Sequence, residues 1–261
     1  MNSLKDKTII STRPLSENDS IKNLLIYKGA KVIDFPMIEI CDMGEAESQE
    51  IATTLESIGD YNWLVFTSKN GVLYFFNHLR KNNMTLADIV HIRTAVISHK
   101  TAKELRKYNI EPNLVSTGNN AKDLFDELKD FIDPEDKILL PLAKSANDEL
   151  ETSLSEIAKA VRINVYQTNR PSQIATKVIK EIKANNYDII IFTSPSGVQN
   201  FKSVLEKNAI SADIRSCCIG TTTESEMLKN NITPMLVSHK SEGEAFVAVL
   251  ENFYDGKIKN V

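Results

Sequence analysis

Cysteine, histidine and glycine are all scarce in this chain. Its three cysteines, Cys41, Cys217 and Cys218, are odd in number and two are adjacent. That pattern makes neither a disulfide framework nor a Cys-x-x-Cys metal pair, and it is the pattern expected of reduced, buried thiols in a cytoplasmic protein. The four histidines, His78, His91, His99 and His239, are dispersed without the spacing of a metal site, so no metal is expected. No Gly-x-x-x-x-Gly-Lys-Ser/Thr loop occurs, and no Gly-x-Gly-x-x-Gly follows the first apolar run. Nucleotide hydrolysis and a dinucleotide cofactor therefore have no motif behind them, and no cofactor is expected. A formal charge of −4 and the absence of a Lys/Arg block argue against nucleic acid as a partner. No apolar run reaches the length of a bilayer span, and the first residues, Met1 to Lys7, lack the apolar stretch of a secretory leader.

What is present is material for a substantial core. The 261 residues are 42% hydrophobic and 25% charged, enough for two ordinary domains. The chain also repeats itself. Trp63-Leu64-Val65-Phe66-Thr67-Ser68-Lys69-Asn70-Gly71-Val72 returns as Ile189-Ile190-Ile191-Phe192-Thr193-Ser194-Pro195-Ser196-Gly197-Val198 at an offset of 126. At an offset of 122, Asn109-Ile110 with Pro112 faces Asn231-Ile232 with Pro234, and Leu114-Val115-Ser116 faces Leu236-Val237-Ser238. Upstream, Lys7 to Ile10 faces Lys137 to Leu140 at an offset of 130. Offsets that drift only by small insertions mark a duplicated unit.

Each copy alternates short apolar runs with amphipathic stretches. After the first Phe-Thr-Ser, Val72, Phe75, Phe76 and Leu79 fall at i, i+3, i+4 and i+7, one face of a helix; Val198, Phe201 and Leu205 repeat it, as do Phe246, Val249, Leu250 and Phe253 near the C-terminus. Strand–helix alternation predicts parallel sheets covered on both faces with right-handed crossovers, and hence two doubly wound α/β domains. Residues 32–40 and 161–168 break the rhythm at equivalent places. With Pro36 arguing against a central strand, both read as extended connectors rather than core strands.

In open parallel sheets ligands bind beyond the carboxyl ends of the strands. Thr67, Ser68, Asn70 and Gly71 form one such strand-to-helix turn, and Thr193, Ser194, Ser196 and Gly197 form its copy. Capping of the helix explains these residue types, since Ser, Thr and Asn accept from the first-turn amides. The functional alternative is reception of an anion by free N–H groups at the positive helix end, and duplication copies caps as well as sites. Gly220, Thr222 and Thr223 form a further turn, whose counterpart at residues 98–101 replaces glycine with Ser98. Arg13, beside Pro14, is placed to clamp a carboxylate, whereas Lys144 in the matching turn reads as a solvated charge. Tyr166 is the candidate general acid: a phenol with an ordinary pKa of about 10 is protonated at neutral pH. Packing explains a tyrosine in an extended segment as well.

The ordered set Thr12-Arg13-Pro14, Phe66-Thr67-Ser68-x-Asn70-Gly71-Val72, Val165-Tyr166-Gln167-Thr168, Phe192-Thr193-Ser194-Pro195-Ser196-Gly197-Val198 and Ile219-Gly220-x-Thr222-Thr223 resembles the uroporphyrinogen-III synthase family over nearly the whole chain. The resemblance implies interlocked domains: residues 1–36 and 168–261 form one and residues 37–167 the other, with the two connectors pairing between them and a ligand cleft there. It implies a cofactor-independent lyase that closes hydroxymethylbilane, a linear tetrapyrrole, to uroporphyrinogen III with loss of water and inversion of ring D. Tyr166 is the residue it implies for assisting departure of the hydroxyl. Arg13, Thr67, Ser68, Asn70, Gly71, Thr193, Ser194, Ser196, Gly197, Gly220, Thr222 and Thr223 are the substrate-binding positions. A cytoplasmic monomer is expected, in transient contact with the preceding pathway enzyme. Two other readings stand beside this one: a two-domain module that binds a small anion without turnover, and a flavodoxin-like or response-regulator-like protein. The latter needs acidic residues where Thr67-Ser68 and Thr193-Ser194 stand.

Overall fold

A computed structural model describes residues 3–15, 19–118, 120–240 and 243–257 of the chain. In order, its elements are β1 (Thr8–Ser11), α1 (Ser20–Tyr27), β2 (Lys31–Asp34), β3 (Glu39–Cys41), α2 (Glu45–Glu56), β4 (Trp63–Phe66), α3 (Lys69–Lys81), β5 (Arg93–Val96), α4 (His99–Arg106), β6 (Leu114–Val115), α5 (Ala121–Leu128), β7 (Lys137–Ala143), α6 (Glu149–Ser155), β8 (Lys159–Asn169), α7 (Thr176–Lys183), β9 (Ile189–Phe192), α8 (Pro195–Lys207), β10 (Ser216–Ile219), α9 (Thr221–Lys229), β11 (Leu236–Ser238) and α10 (Gly243–Tyr254).

The chain divides into two compact units, one of residues 1–39 and 169–261, the other of residues 40–168. The first holds a five-stranded sheet of order β11-β10-β9-β1-β2, the second a six-stranded sheet of order β3-β8-β7-β4-β5-β6. The strand pairs whose register is resolved are parallel. The duplication and the sheets cut the sequence differently. One copy supplies β1, β2, β4, β5 and β6, with β3 as an additional strand between β2 and β4, and the other supplies β7, β8, β9, β10 and β11. Leaving β3 aside, which adds an edge to the six-stranded sheet, each sheet takes the first two strands of one copy and the last three of the other, which is the interlocked, doubly wound arrangement.

The central strands show why the runs are apolar throughout. On β9, Ile190 and Phe192 enter one core while Ile189 and Ile191 enter the core on the opposite face. On β4, Leu64 and Phe66 enter one core and Trp63 and Val65 the other. Both faces are covered, so no position of either strand is left for a polar side chain. The amphipathic faces read from the sequence supply the cover: Val72, Phe75, Phe76 and Leu79 of α3, and Val198, Phe201 and Leu205 of α8, are buried.

The connector reading is corrected in one respect. Residues 32–40 hold β2, an edge strand in which an ensuing Pro36 costs no ladder bond, and the start of β3. Residues 161–168 lie in β8, an interior strand between β3 and β7, with Ile163, Val165 and Tyr166 buried in the core. The segment is a core strand. Its register shifts near the end: Leu142 faces Asn164 but Ala143 faces Tyr166, so the ladder passes over Val165.

Candidate active site

The turns singled out in the sequence lie at the carboxyl ends of strands of the same sheet within each unit. In one, β1, β9 and β10 end at Arg13, at residues 193–197 and at residues 220–223, with β9 lying between the other two. In the other, β4 ends at residues 67–71 and β8 carries Tyr166.

The serine of each repeated turn is a helix cap. Ser68 and Ser194 share an extended backbone, with φ −157° in both, and each hydroxyl oxygen accepts from the glycine amide three residues on: Gly71 N–H at 2.9 Å and Gly197 N–H at 3.2 Å. Those two amides are therefore engaged. The Lys69 and Asn70 amides meet no protein acceptor among the described residues, and neither does that of Ser196; Pro195 has none to offer. The α9 start is the most open. Gly220 takes φ +82°, a conformation that L side chains avoid, and it supplies no cap. The amides of Thr221, Thr222 and Thr223 likewise meet no protein acceptor among the described residues, while Gly220 N–H is anchored on the Ser238 carbonyl at 2.8 Å. Thr222 is exposed and Thr223 buried. Thr67 and Thr193 are half-buried and Ser196 is exposed.

Arg13 is partly engaged. Its Nε donates to Asp19 Oδ2 at 2.9 Å, and Asp19 Oδ1 in turn accepts from Ile21 N–H and Lys22 N–H to cap α1. Arg13 lines a cavity of 320 Å³ with Lys22 and Asp34, which are paired with each other at 2.5 Å. Arg13 can thus offer a carboxylate its end-on pair of donors. Lys144 is tied to Glu47 at 2.7 Å, which fits its reading as a surface charge.

Tyr166 is the residue whose position the strand geometry specifies most closely. The skipped register at Val165 puts Val165 and Tyr166 both on the buried side, and a bulge re-aims the side chain that follows it. The Tyr166 carbonyl accepts from Lys144 N–H at 2.9 Å. Its phenol oxygen lies 3.2 Å from Ser68 Oγ. Ser68 already accepts the Gly71 amide, so its own proton is available to the phenol, and the phenol proton is then free for another acceptor. The sequence reading selected Ser68 and Tyr166 separately, and they prove to be in contact.

Three neighbours were not found from the sequence. Tyr74 stacks on Tyr166, ring centroids 5.4 Å apart and planes at 22°. His78, 1% exposed, reaches the Val165 carbonyl at 3.2 Å and Asp42 Oδ1 at 2.9 Å. Asp42 also pairs with Lys81. Burial acts to raise the Asp42 carboxyl, but the Lys81 hydrogen bond, the Met43 amide and the charge of His78 outweigh it and hold it below its ordinary value. Tyr74 and His78 stand four residues apart on α3, which was legible; their targets, some ninety residues on, were not.

Residues 19–248 match the HEM4 family, described as uroporphyrinogen-III synthase HemD. The "Porphyrin biosynthesis protein HemD" of Ruminiclostridium josui is 25% identical over 251 residues, which are 96% of this chain but 49% of that protein, so the chain spans about half its length. The uroporphyrinogen-III synthase of Synechococcus elongatus is 26% identical over 205 residues, 77% of this chain and 76% of that protein. Among solved structures, uroporphyrinogen-III synthetase from Helicobacter pylori aligns with a TM-score of 0.63 at 20% identity, covering 95% of this chain and 99% of its own, a likeness of fold.

Proposed function

This chain belongs to the uroporphyrinogen-III synthase family, and we propose that it closes hydroxymethylbilane to uroporphyrinogen III, with Tyr166 assisting departure of the substrate hydroxyl. The observation that carries the residue assignment is the Val165 bulge, which sets the Tyr166 phenol on the Ser68 cap. Loss of the hydroxyl as water leaves an azafulvene. Attack on it by the substituted position of ring D forms a spirocyclic pyrrolenine, which fragments and recloses with that ring inverted. Left alone, the linear substrate closes to the symmetric isomer, so the protein's chief task is to hold a reactive molecule in one conformation.

Eight side-chain carboxylates, ionised at neutral pH, suit many weak donors better than a few strong cations. The unengaged amides of Lys69, Asn70, Thr221, Thr222 and Thr223 are donors of that kind, and Arg13 adds one charged contact. In the chemical step Ser68 donates to the phenol oxygen and the phenol donates to the departing hydroxyl. We take the protein to act as a cytoplasmic monomer that receives its unstable substrate by transient contact with the preceding pathway enzyme. Among the described residues, no helix is long and apolar enough to cross a membrane. Hydroxymethylbilane generated in situ, followed by oxidation and separation of the porphyrin isomers, tests the reading. An excess of isomer III over the protein-free control supports it. The control ratio leaves a module that binds without turnover.

A further inference from the structure

The bulge that aims Tyr166 is met by α3. Val165, the residue over which the β7 ladder passes, has its carbonyl within reach of that helix. His78 Nε2 lies 3.2 Å from the carbonyl oxygen and 2.9 Å from Asp42 Oδ1; both oxygens accept, so this nitrogen carries the proton and shares it between them. One helical turn earlier, Tyr74 lays its ring against that of Tyr166 at 5.4 Å, and its own hydroxyl donates to the Ile40 carbonyl at 2.9 Å on β3. Residues four apart share a helix face, so one face of α3 grips the bulge at two consecutive residues, the backbone of Val165 and the ring of Tyr166. The same helix begins at Ser68, which meets the phenol oxygen. Three points of one rigid element thus fix the carbonyl before the tyrosine, the plane of its ring and the position of its hydroxyl.

We propose that Tyr74 and His78 are positioning residues for Tyr166, holding its phenol where the departing hydroxyl needs a proton. The proposal rests on the reading of Tyr166 given above. It predicts that Tyr74 and His78 matter to turnover only through the Tyr166 hydroxyl.

The test is kcat and KM for Tyr74→Leu, Tyr74→Phe, His78→Leu and His78→Gln in the full-length protein, each with Tyr166 intact and in Tyr166→Phe. Phe keeps the stack, and the Gln amide keeps a donor near the Val165 carbonyl. With Tyr166 intact, each Leu variant should lower kcat about 3- to 10-fold at unchanged KM, as misplacement of a reacting group does. Tyr74→Phe and His78→Gln should stay within about 2-fold. In Tyr166→Phe the Leu substitutions should bring no further loss. Should a Leu variant not fold, Tyr74→Met and His78→Met, whose unbranched, flexible side chains adapt to the vacated space, replace it. An equal loss of kcat with and without the Tyr166 hydroxyl overturns the proposal, and so does an unchanged kcat in the Leu variants. A wild-type rate for Tyr166→Phe alone is a different failure: it removes the reading of Tyr166, and the positioning role with it.

Discussion

Gly71 and the Pro141 carbonyl approach so closely that a methyl group at residue 71 would stand 2.7 Å from that oxygen. The start of α3 is seated on β7 at a distance only glycine permits. The equivalent Gly197 has no such neighbour: a methyl there would meet the Ser194 hydroxyl at 3.1 Å and the Thr12 hydroxyl at 3.9 Å. The two copies of the motif hold the same residue for different needs. Gly71→Ala forces backbone to move and should cost about 1–3 kcal/mol, as overpacking does. Gly197→Ala, which displaces only side chains, should cost less. Thermal melting of the two variants side by side gives the comparison; equal losses would show that the contact with Pro141 is not what glycine serves.

Gly220 calls for a different substitution effect. A side chain at φ +82° costs roughly 1–2 kcal/mol, yet no atom lies within 4 Å of where its Cβ would be. Gly220→Ala should therefore lose stability by conformation alone, and Gly220→Asn should lose as much, because ψ 151° lies outside the left-handed helical region that Asn tolerates. Because the turn presents the Thr221, Thr222 and Thr223 amides, both variants should also raise KM more than they lower kcat. A KM equal to wild type in the face of a lowered melting temperature would take this turn out of substrate binding.

Tyr166→Phe separates acid assistance from packing. General acid catalysis is typically worth roughly 10²–10⁴-fold, but this substrate loses its hydroxyl readily, so a loss at or below the low end is expected. The ring remains to stack on Tyr74, so the melting temperature should hold. Initial rates and melts of wild type, Tyr166→Phe and Tyr166→Ala decide the matter. A Phe variant with wild-type rate leaves positioning by the helix starts as the whole mechanism.

The acid limb of stability should depend on Asp42. Burial opposes its ionisation, while Lys81, the Met43 amide and His78 favour it and prevail, so its folded-state pKa lies below the ordinary 3.8. A depressed carboxyl contributes stability that is fully present above the unfolded value and lost as pH falls through the folded one. Wild type should exceed Asp42→Asn in melting temperature at pH 6, with the gap closing below pH 3.8. Solvent reaches this carboxylate, so the gap should correspond to about 1 kcal/mol or less. A gap that persists unchanged at pH 3 would place the effect in packing rather than charge.

Much of the fold was legible because its signals are local. The repeated Phe-Thr-Ser-x-x-Gly-Val, the spacing of Val72, Phe75, Phe76 and Leu79, and the wholly apolar β4 and β9 each name an element and the faces it buries. Strand β8 reads as a connector because its alternating polar and apolar side chains differ from the wholly apolar β4 and β9, the pattern expected of an interior strand covered on both faces. The serine caps were anticipated as one of two explanations. Which amides they leave free was not, since that depends on which carbonyls and side chains fold within reach of each turn. Tyr74 and His78 escaped notice because an i, i+4 pair states a face but not what lies against it. Their partners belong to a strand that comes from the second copy of the repeat.

Isomer composition as a function of protein concentration tests the central claim most directly. Hydroxymethylbilane is generated in situ at a fixed rate, protein is titrated in after treatment with chelator, and the oxidised porphyrins are separated. The account predicts that isomer III rises with added protein until it displaces isomer I almost entirely, and that chelator changes nothing. An isomer ratio that stays at the protein-free value across the whole titration would contradict it.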